Sequence, residues 1–445
     1  MRKADQRPPV KAAPLWHFPE PAKLWLDNGF EVLANHRPGQ YVASIAIVLD
    51  APLSEEPAEI EGVATITQRC LDEGTRTHPG AGFAEALEDI GAILGGSAGY
   101  SASELSCDVP VSRLPQALRL LAEAVREPEL RPDDIQRHQT LRLAEIENTL
   151  ANSTQRAQLA FRAACVPGRF RSARMAGGQA ATVSQVTVDD VAAFHRRYYR
   201  PDGTTLIVSG DLTKAVFREA EAVFGDWDVP APNTVRHQSP VSRRPHCWLI
   251  DRPGAVQADV RLGTFGIDRG DPRWADVQVA TYALGGAFLS RLNRELREEL
   301  GYTYGAHLVN TPMRDGGLIS VQGSFRTEVV ADAVSRARDL LNVANRPFTS
   351  TEVADAVAYA NGVSPLRYST AQGVTDRIAT LVADGVNPDF VNTNALALTR
   401  VTPESATQAI TELLPPDQLS LVVVGDAAQL AEPLRDAGWT MSVKP

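Results

Sequence analysis

Two eleven-residue segments of this chain carry one pattern, 215 positions apart: Pro201-Asp202-Gly203-Thr204-Thr205-Leu206-Ile207-Val208-Ser209-Gly210-Asp211 and Pro416-Asp417-Gln418-Leu419-Ser420-Leu421-Val422-Val423-Val424-Gly425-Asp426. Each reads as a turn, a short apolar strand and a Gly-Asp pair entering a helix. The separation is domain-sized and far too long for a solenoid repeat, so the pattern predicts a duplicated fold of roughly 200 residues per copy. A chain of 445 residues also exceeds what one hydrophobic core spans.

Residues 228–245 hold Pro230, Pro232, Pro240 and Pro245 with almost no apolar periodicity, which reads as an exposed, proline-stiffened linker. The expected division is therefore 1–227, linker 228–245, and 246–445. In the first part, Leu24–Leu26 and Phe30–Leu33 flank Asp27-Asn28-Gly29 as a hairpin, and Ala43–Leu49 and Ser101–Val109 read as strands. Helices are expected over 62–72, 83–90, 114–126, one long stretch from 132 to about 164, and 187–199. The second part repeats the order: strands at 247–250 and 256–264, helices at 274–284 and 289–300, strands at 303–310 and 317–325, further helices, and a last strand at 419–424. Hairpin-joined strands with helices gathered beside them predict an α+β protein of two homologous domains, each a mainly antiparallel sheet packed with helices. Gly95-Gly96 and Gly285-Gly286 do not follow the strand-Gly-x-Gly-x-x-Gly pattern, so a nucleotide phosphate site is not indicated.

A net charge of −10 argues against nucleic acid as a partner and leaves no polybasic patch for a membrane surface. The basic N-terminal residues have no apolar run behind them, and the longest apolar runs are strand-length, so neither a secretory signal nor a transmembrane helix is expected. Cys70, Cys107, Cys165 and Cys247 lack Cys-x-x-Cys spacing and fit reduced core residues of a cytoplasmic protein.

The segment Ser290-Arg291-Leu292-Asn293-Arg294-Glu295-Leu296-Arg297-Glu298-Glu299-Leu300-Gly301-Tyr302-Thr303-Tyr304-Gly305 carries chemistry. Arg297 falls in the last helical turn and Gly301 supplies the left-handed residue that ends helices. Tyr302-Thr303-Tyr304 then reads as strand, with Tyr302 and Tyr304 on one face. A guanidinium and a phenol meeting at one corner are suited to a carbonyl that gains negative charge; the bland alternative is a surface arginine and a core tyrosine.

The segment 285–305 resembles the arginine/tyrosine motif of the pitrilysin family of zinc peptidases, in which the pair is spaced as Arg297 and Tyr304 are. A second segment resembles the frame of that family's inverted zinc helix, His-x-x-Glu-His. Gly62-Val63-Ala64 leads in and Gly74-Thr75 follows, but Thr65 and Arg69 stand at the histidine positions and Gln68 at the general-base glutamate. Two imidazoles one turn apart hold a metal and a carboxylate activates its water; a threonine, an amide and a cation do neither. Glu145 matches the place of the third ligand, with Arg69 expected to offer it a salt bridge. The eight histidines contain no His-x-His or His-x-x-x-His pair, and His138, seven residues before Glu145, reads as part of a solvated helix face.

The resemblance implies half of a clamshell: a zinc-less subunit without metal or other cofactor of its own, paired with a homologous His-x-x-Glu-His chain that carries zinc, around a peptide substrate. Arg297 and Tyr304 would complete the partner's active site by contacting substrate carbonyls. Gly285-Gly286 resembles a shortened form of the glycine-rich loop of the mitochondrial non-catalytic subunit and would touch substrate. The other class of reading is a structural or assembly subunit of this fold with no proteolytic role.

Overall fold

A computed structural model describes residues 16–230 and 244–445. Most of the expected linker, 231–243, lies outside the described residues. The first sheet is built from β1 (Ala22–Trp25), β2 (Glu31–His36), β3 (Val42–Leu49), β4 (Ile93–Ala98), β5 (Ser103–Pro110) and β6 (Thr205–Gly210), in the order β1-β2-β6-β3-β5-β4. The second uses β7 (Cys247–Asp251), β8 (Gln257–Gly266), β9 (Ala306–Pro312), β10 (Gly317–Arg326), β11 (Ser420–Gly425) and β12 (Ser442–Lys444), in the order β12-β7-β11-β8-β10-β9. Apart from the edge strands β1 and β12, the two orders superpose. The repeated segments become β6 and β11, each in the same slot, so the duplication is one of architecture.

Both sheets are mixed. β6 pairs parallel with β2, and β11 parallel with β7, because in each domain the chain returns to the sheet only after crossing over through helices. The remaining neighbours within each shared five-strand unit are antiparallel.

The central strands are buried on both faces, and the two faces have different owners. Along β3, Ile45, Ile47 and Leu49 enter the first domain's own helical core, while Ala46 and Val48 point the other way. That second face is covered by the Ala371–Ala383 helix of the second domain, which brings Val374, Ile378 and Ala379 onto Ala46, Val48 and Ile207. The exchange is reciprocal. The Ser153–Cys165 helix of the first domain sets Ala157, Phe161 and Ala164, one apolar stripe at helical spacing, against Ile250, Val422 and Val424 of the second sheet. The near-continuous apolar run Leu421–Val424 reflects this burial from both sides.

Several elements differ from the sequence expectation. The stretch 132–164 is two helices, Pro132–Ala151 and Ser153–Cys165, because Asn152 leaves the helical conformation and its side chain caps the second by accepting from the Gln155 amide at 3.0 Å. β4 was not anticipated, since its Gly95-Gly96 pair disguises an edge strand. β12, three residues long, was also missed. Among the described residues no helix is long and apolar enough to cross a membrane.

Candidate active site

The Val63–Arg69 helix starts from Gly62, whose φ of 112° is left-handed. A side chain there would also come within 2.7 Å of Val183. The buried Glu56 carboxylate accepts from the Gly62 and Ala64 amides at 2.9 and 3.0 Å, placing negative charge at the helix N-terminus, and Arg171 pairs with it at 2.7 Å. Burial nevertheless outweighs these partners and holds the Glu56 pKa above its ordinary value. Arg174 grips Glu61 from the same loop. None of this acid–arginine scaffold was read from the sequence, where its members are isolated charges far apart; it fixes the N-terminus of the Val63–Arg69 helix.

Those side chains form a charge-balanced crevice. Arg69 Nη2 lies 2.9 Å from Glu145 Oε2, and Arg142 Nη1 reaches the same oxygen at 3.1 Å while its other donors hold the Gly177 and Ala176 carbonyls. Burial works against ionisation of Glu145, but the hydrogen bonds from Arg69 and Arg142 prevail and its pKa falls. Gln68 is buried over β4, its amide occupying the space a side chain on Gly96 would need. Thr65 faces the Gly177 turn. His138 is not on a solvated face: its side chain is 12% exposed and its Nε2 meets Glu73 Oε1 at 2.7 Å. A cavity of about 270 Å³ remains beside Gln68, Arg69 and His138. These residues do not fit zinc. Two guanidiniums converge on the only carboxylate at the ligand positions, and among the described residues no three His, Cys, Asp or Glu side chains gather into a metal-holding cluster.

At the other motif the chain winds more loosely than an α-helix. Tyr282–Gly286 and Arg294–Glu299 are π-helical, and the second ends at Gly301, φ 63°, whose amide donates to the Arg297 carbonyl at 3.1 Å. Arg297 lies over the Phe288 ring, 3.8 Å from its centroid, donates through Nη2 to the Phe288 carbonyl at 3.2 Å and pairs with Glu298. Its side chain is 18% exposed.

Tyr302–Tyr304 is not a strand. Thr303 Oγ1 donates to the Ser324 carbonyl at 2.7 Å and accepts from the Gly305 amide at 3.1 Å, a local side-chain turn that outcompetes extension and delays β9 to Ala306. The two tyrosines are consequently on different sides. The Tyr302 hydroxyl donates to Asp332 at 2.8 Å, whereas Tyr304 is 96% exposed. No hydrogen bond joins Arg297 and Tyr304 among the described residues. Asn293, not singled out from the sequence, ties the corner to the sheet: its Oδ1 accepts from the Ala306 amide at 2.9 Å and its Nδ2 donates to the Ala287 carbonyl at 3.2 Å. The two glycines part company. Gly285 is buried, and a side chain there would lie 2.1 Å from the Leu308 amide of β9; Gly286 is exposed and lines a cavity of about 420 Å³.

Comparison with known proteins adds to this geometry. Residues 31–167 match the family model described as Insulinase (Peptidase family M16), and residues 185–359 match the model of the Peptidase M16 inactive domain. An uncharacterized zinc protease of Mycobacterium tuberculosis is 29% identical over 357 residues, covering 75% of this chain and 76% of that protein. An uncharacterized zinc protease of Streptomyces coelicolor is 25% identical over 364 residues, covering 79% and 78%. The fold is shared with a peptidase M16 inactive domain from Pseudomonas fluorescens at a TM-score of 0.85 and 23% identity, covering 96% of this chain and all of that one. It is shared too with a Helicobacter pylori protease at a TM-score of 0.83 and 14% identity, covering 92% of this chain and all of that one.

Proposed function

The chain belongs to the M16 peptidase family, and on that premise we propose that it is the zinc-less accessory subunit of a two-chain metallopeptidase. A homologous partner carrying His-x-x-Glu-His would supply the metal and the hydrolysis, in peptide turnover or in processing of a precursor. One observation carries the reading: the chain that ties Glu145 into an ion cluster with Arg69 and Arg142 also presents Tyr304 fully to solvent, seven residues beyond Arg297.

The role of each residue follows from its chemistry. The Tyr304 hydroxyl is a single directed donor without a hydrogen-bond partner among the described residues, so it can meet a substrate carbonyl oxygen as that oxygen gains charge. Arg297 already binds a main-chain carbonyl, that of Phe288, and is held by stacking on the Phe288 ring. A substrate backbone offers the same group, and exchanging Phe288 and Glu298 for it needs no new chemistry. Cys70, Cys107 and Cys165 are buried free thiols, which supports a cytoplasmic setting for the pair.

The test is reconstitution. The purified chain alone should hydrolyse no peptide and retain no stoichiometric zinc, and it should co-purify with a His-x-x-Glu-His homologue and raise that partner's turnover of a fluorogenic peptide. Zinc bound by the isolated chain together with activity would overturn the reading, and a complex whose turnover ignores Tyr304 would favour a purely structural subunit.

A further inference from the structure

The cavity of about 420 Å³ beside Gly286 is bounded by the Trp274–Thr281 helix and its π-helical continuation, and by the Ser350–Arg367, Ala371–Ala383 and Phe390–Leu398 helices. Three arginines line it, Arg269, Arg367 and Arg377, and no carboxylate does. Arg269 is already spent: Asp384 takes its Nε at 2.7 Å and its guanidinium rests over Trp274. Arg367 and Arg377 have no ion-pair or hydrogen-bond partner for their side chains among the described residues. Arg377 Nε and Thr281 Oγ1 are both closed off from solvent without a partner.

An arginine in this position is costly. Burial works most strongly against the charge of Arg377, and with the neighbouring Arg269 and Arg367 it outweighs the favourable influence of Tyr368 and Asp384 and lowers the pKa, yet a guanidinium does not give up its proton. Nor can the side chain retreat easily, because its helix is anchored on the first sheet through Val374 and Ile378. Part of the remaining wall is aromatic: Tyr282 and Tyr359 stack with ring centroids 4.5 Å apart and Trp274 lines the same cavity, while Gln278, Asn361 and Asn394 add polar groups. A partly buried guanidinium with an unsatisfied Nε and an exposed second one, opposite aromatic rings, match a carboxylate carried next to a flat or apolar side chain. The location matches a peptide. Phe288, whose carbonyl engages Arg297, is two residues beyond Gly286, so the cavity opens within roughly 10 Å of that guanidinium.

We propose that this cavity binds a carboxylate of the peptide substrate, an acidic side chain or the chain terminus, through Arg377 and Arg367, with the adjoining apolar residue against Tyr282, Tyr359 and Trp274. The inference rests on the accessory-subunit reading for the peptide but is tested without catalysis. Labelled short peptides that differ only at their last residue are titrated against the full-length chain by fluorescence anisotropy. One ends in Phe-Asp amide, one in Phe-Asn acid and one in Phe-Asn amide, offering a side-chain carboxylate, a terminal carboxylate and neither. Either of the first two should bind about tenfold or more tightly than the third, identifying the source, and Arg377→Gln should remove that advantage.

Arg367→Gln, on the exposed end of its helix, should weaken the same peptide without endangering the fold. Arg377→Leu should raise the melting temperature of the free chain while abolishing carboxylate preference, a combination that an arginine serving only structure would not give. Equal binding of all three peptides, preference unchanged in both arginine variants, or binding of ATP with none of the peptides would overturn the proposal. Loss of carboxylate preference leaves the effect of Tyr304 on turnover in the complex untouched, so the two ideas fail separately.

Discussion

The two domains place the same crevice at the same point of the fold and treat it in opposite ways. In the first, between the Val63–Arg69 and Pro132–Ala151 helices, Glu145 takes Arg69 and Arg142 together and Glu73 takes His138. In the second, between the Trp274–Thr281 and Ser350–Arg367 helices, three arginines line a larger cavity, and among the described residues only Arg269 has a carboxylate partner, Asp384. Strand order and helix order do not distinguish the two. A handful of side chains does, which is why family membership establishes the fold of this chain while its role has to be argued from Thr65, Gln68, Arg69 and Tyr304.

The largest effect should separate the domains by catalysis. In the reconstituted complex, Tyr304→Phe removes one preorganised donor and should cost roughly 3–4 kcal/mol, or about 100–1000-fold in kcat, while Gln68→Ala in the first crevice should leave kcat nearly unchanged. Steady-state turnover of a fluorogenic peptide checks both. Because Tyr304 touches so little of its own chain, its variant should melt with the wild type; comparable losses from both substitutions would erase the functional asymmetry.

The next effect is on stability and separates two adjacent glycines. Gly285→Ala would set a methyl 2.1 Å from the backbone amide of Leu308, a clash no rotamer relieves, and should destabilise by about 1–3 kcal/mol in a urea titration. At Gly286 the nearest neighbour is the Tyr282 side chain at 3.3 Å, so Gly286→Ala should stay within about 0.5 kcal/mol. The π-helical turn thus approaches the β9 backbone most closely at Gly285, and Gly286 is left free to line the cavity.

What was legible in the sequence follows the same division between long-range pattern and local competition. The duplication showed because β6 and β11 are buried on both faces and so read as uninterrupted apolar runs. The Arg69–Glu145 bridge showed because a fixed spacing frames it. Local contests were harder to read: Thr303 bonding its own backbone cancels the strand that Tyr302-Thr303-Tyr304 suggests, and Asn152 capping a new helix divides a stretch whose apolar spacing runs on. The open cavity was invisible for a different reason. Arg269, Arg367 and Arg377 come from segments with no shared motif, and the absence of a carboxylate among them exists only once the helices have packed.

A smaller effect concerns the closed crevice. Arg69→Ala leaves Glu145 to Arg142, and since the Arg69 and Glu145 side chains are both partly solvated, at 30% and 42% exposure, the loss should be below about 1 kcal/mol and shrink further at high salt. Thermal melts at low and high ionic strength measure it. A loss of several kcal/mol would mean that the cluster braces the domain rather than merely balancing charge.

The smallest effect contrasts the two reciprocal helix docks. Where the first domain's helix meets the second sheet, Asp259 sits under three hydroxyls, from Ser153, Thr154 and Ser324. Where the second domain's helix meets the first sheet, acids face acids: burial first and then Asp376 raise the pKa of Glu104, and burial first and then Asp108 raise that of Asp376. A carboxyl whose folded pKa lies above its unfolded value costs nothing below the unfolded pKa, where both states are protonated. The cost accumulates as pH rises through the unfolded value and is complete above the folded one. This dock should therefore be tighter in mild acid than at neutrality. Glu104→Gln should raise the melting temperature at pH 7 by an amount that disappears below about pH 4, the ordinary carboxylate range. A benefit independent of pH would assign the effect to packing, and a loss at neutral pH would show that Glu104 is held there by a partner instead of being opposed by Asp376.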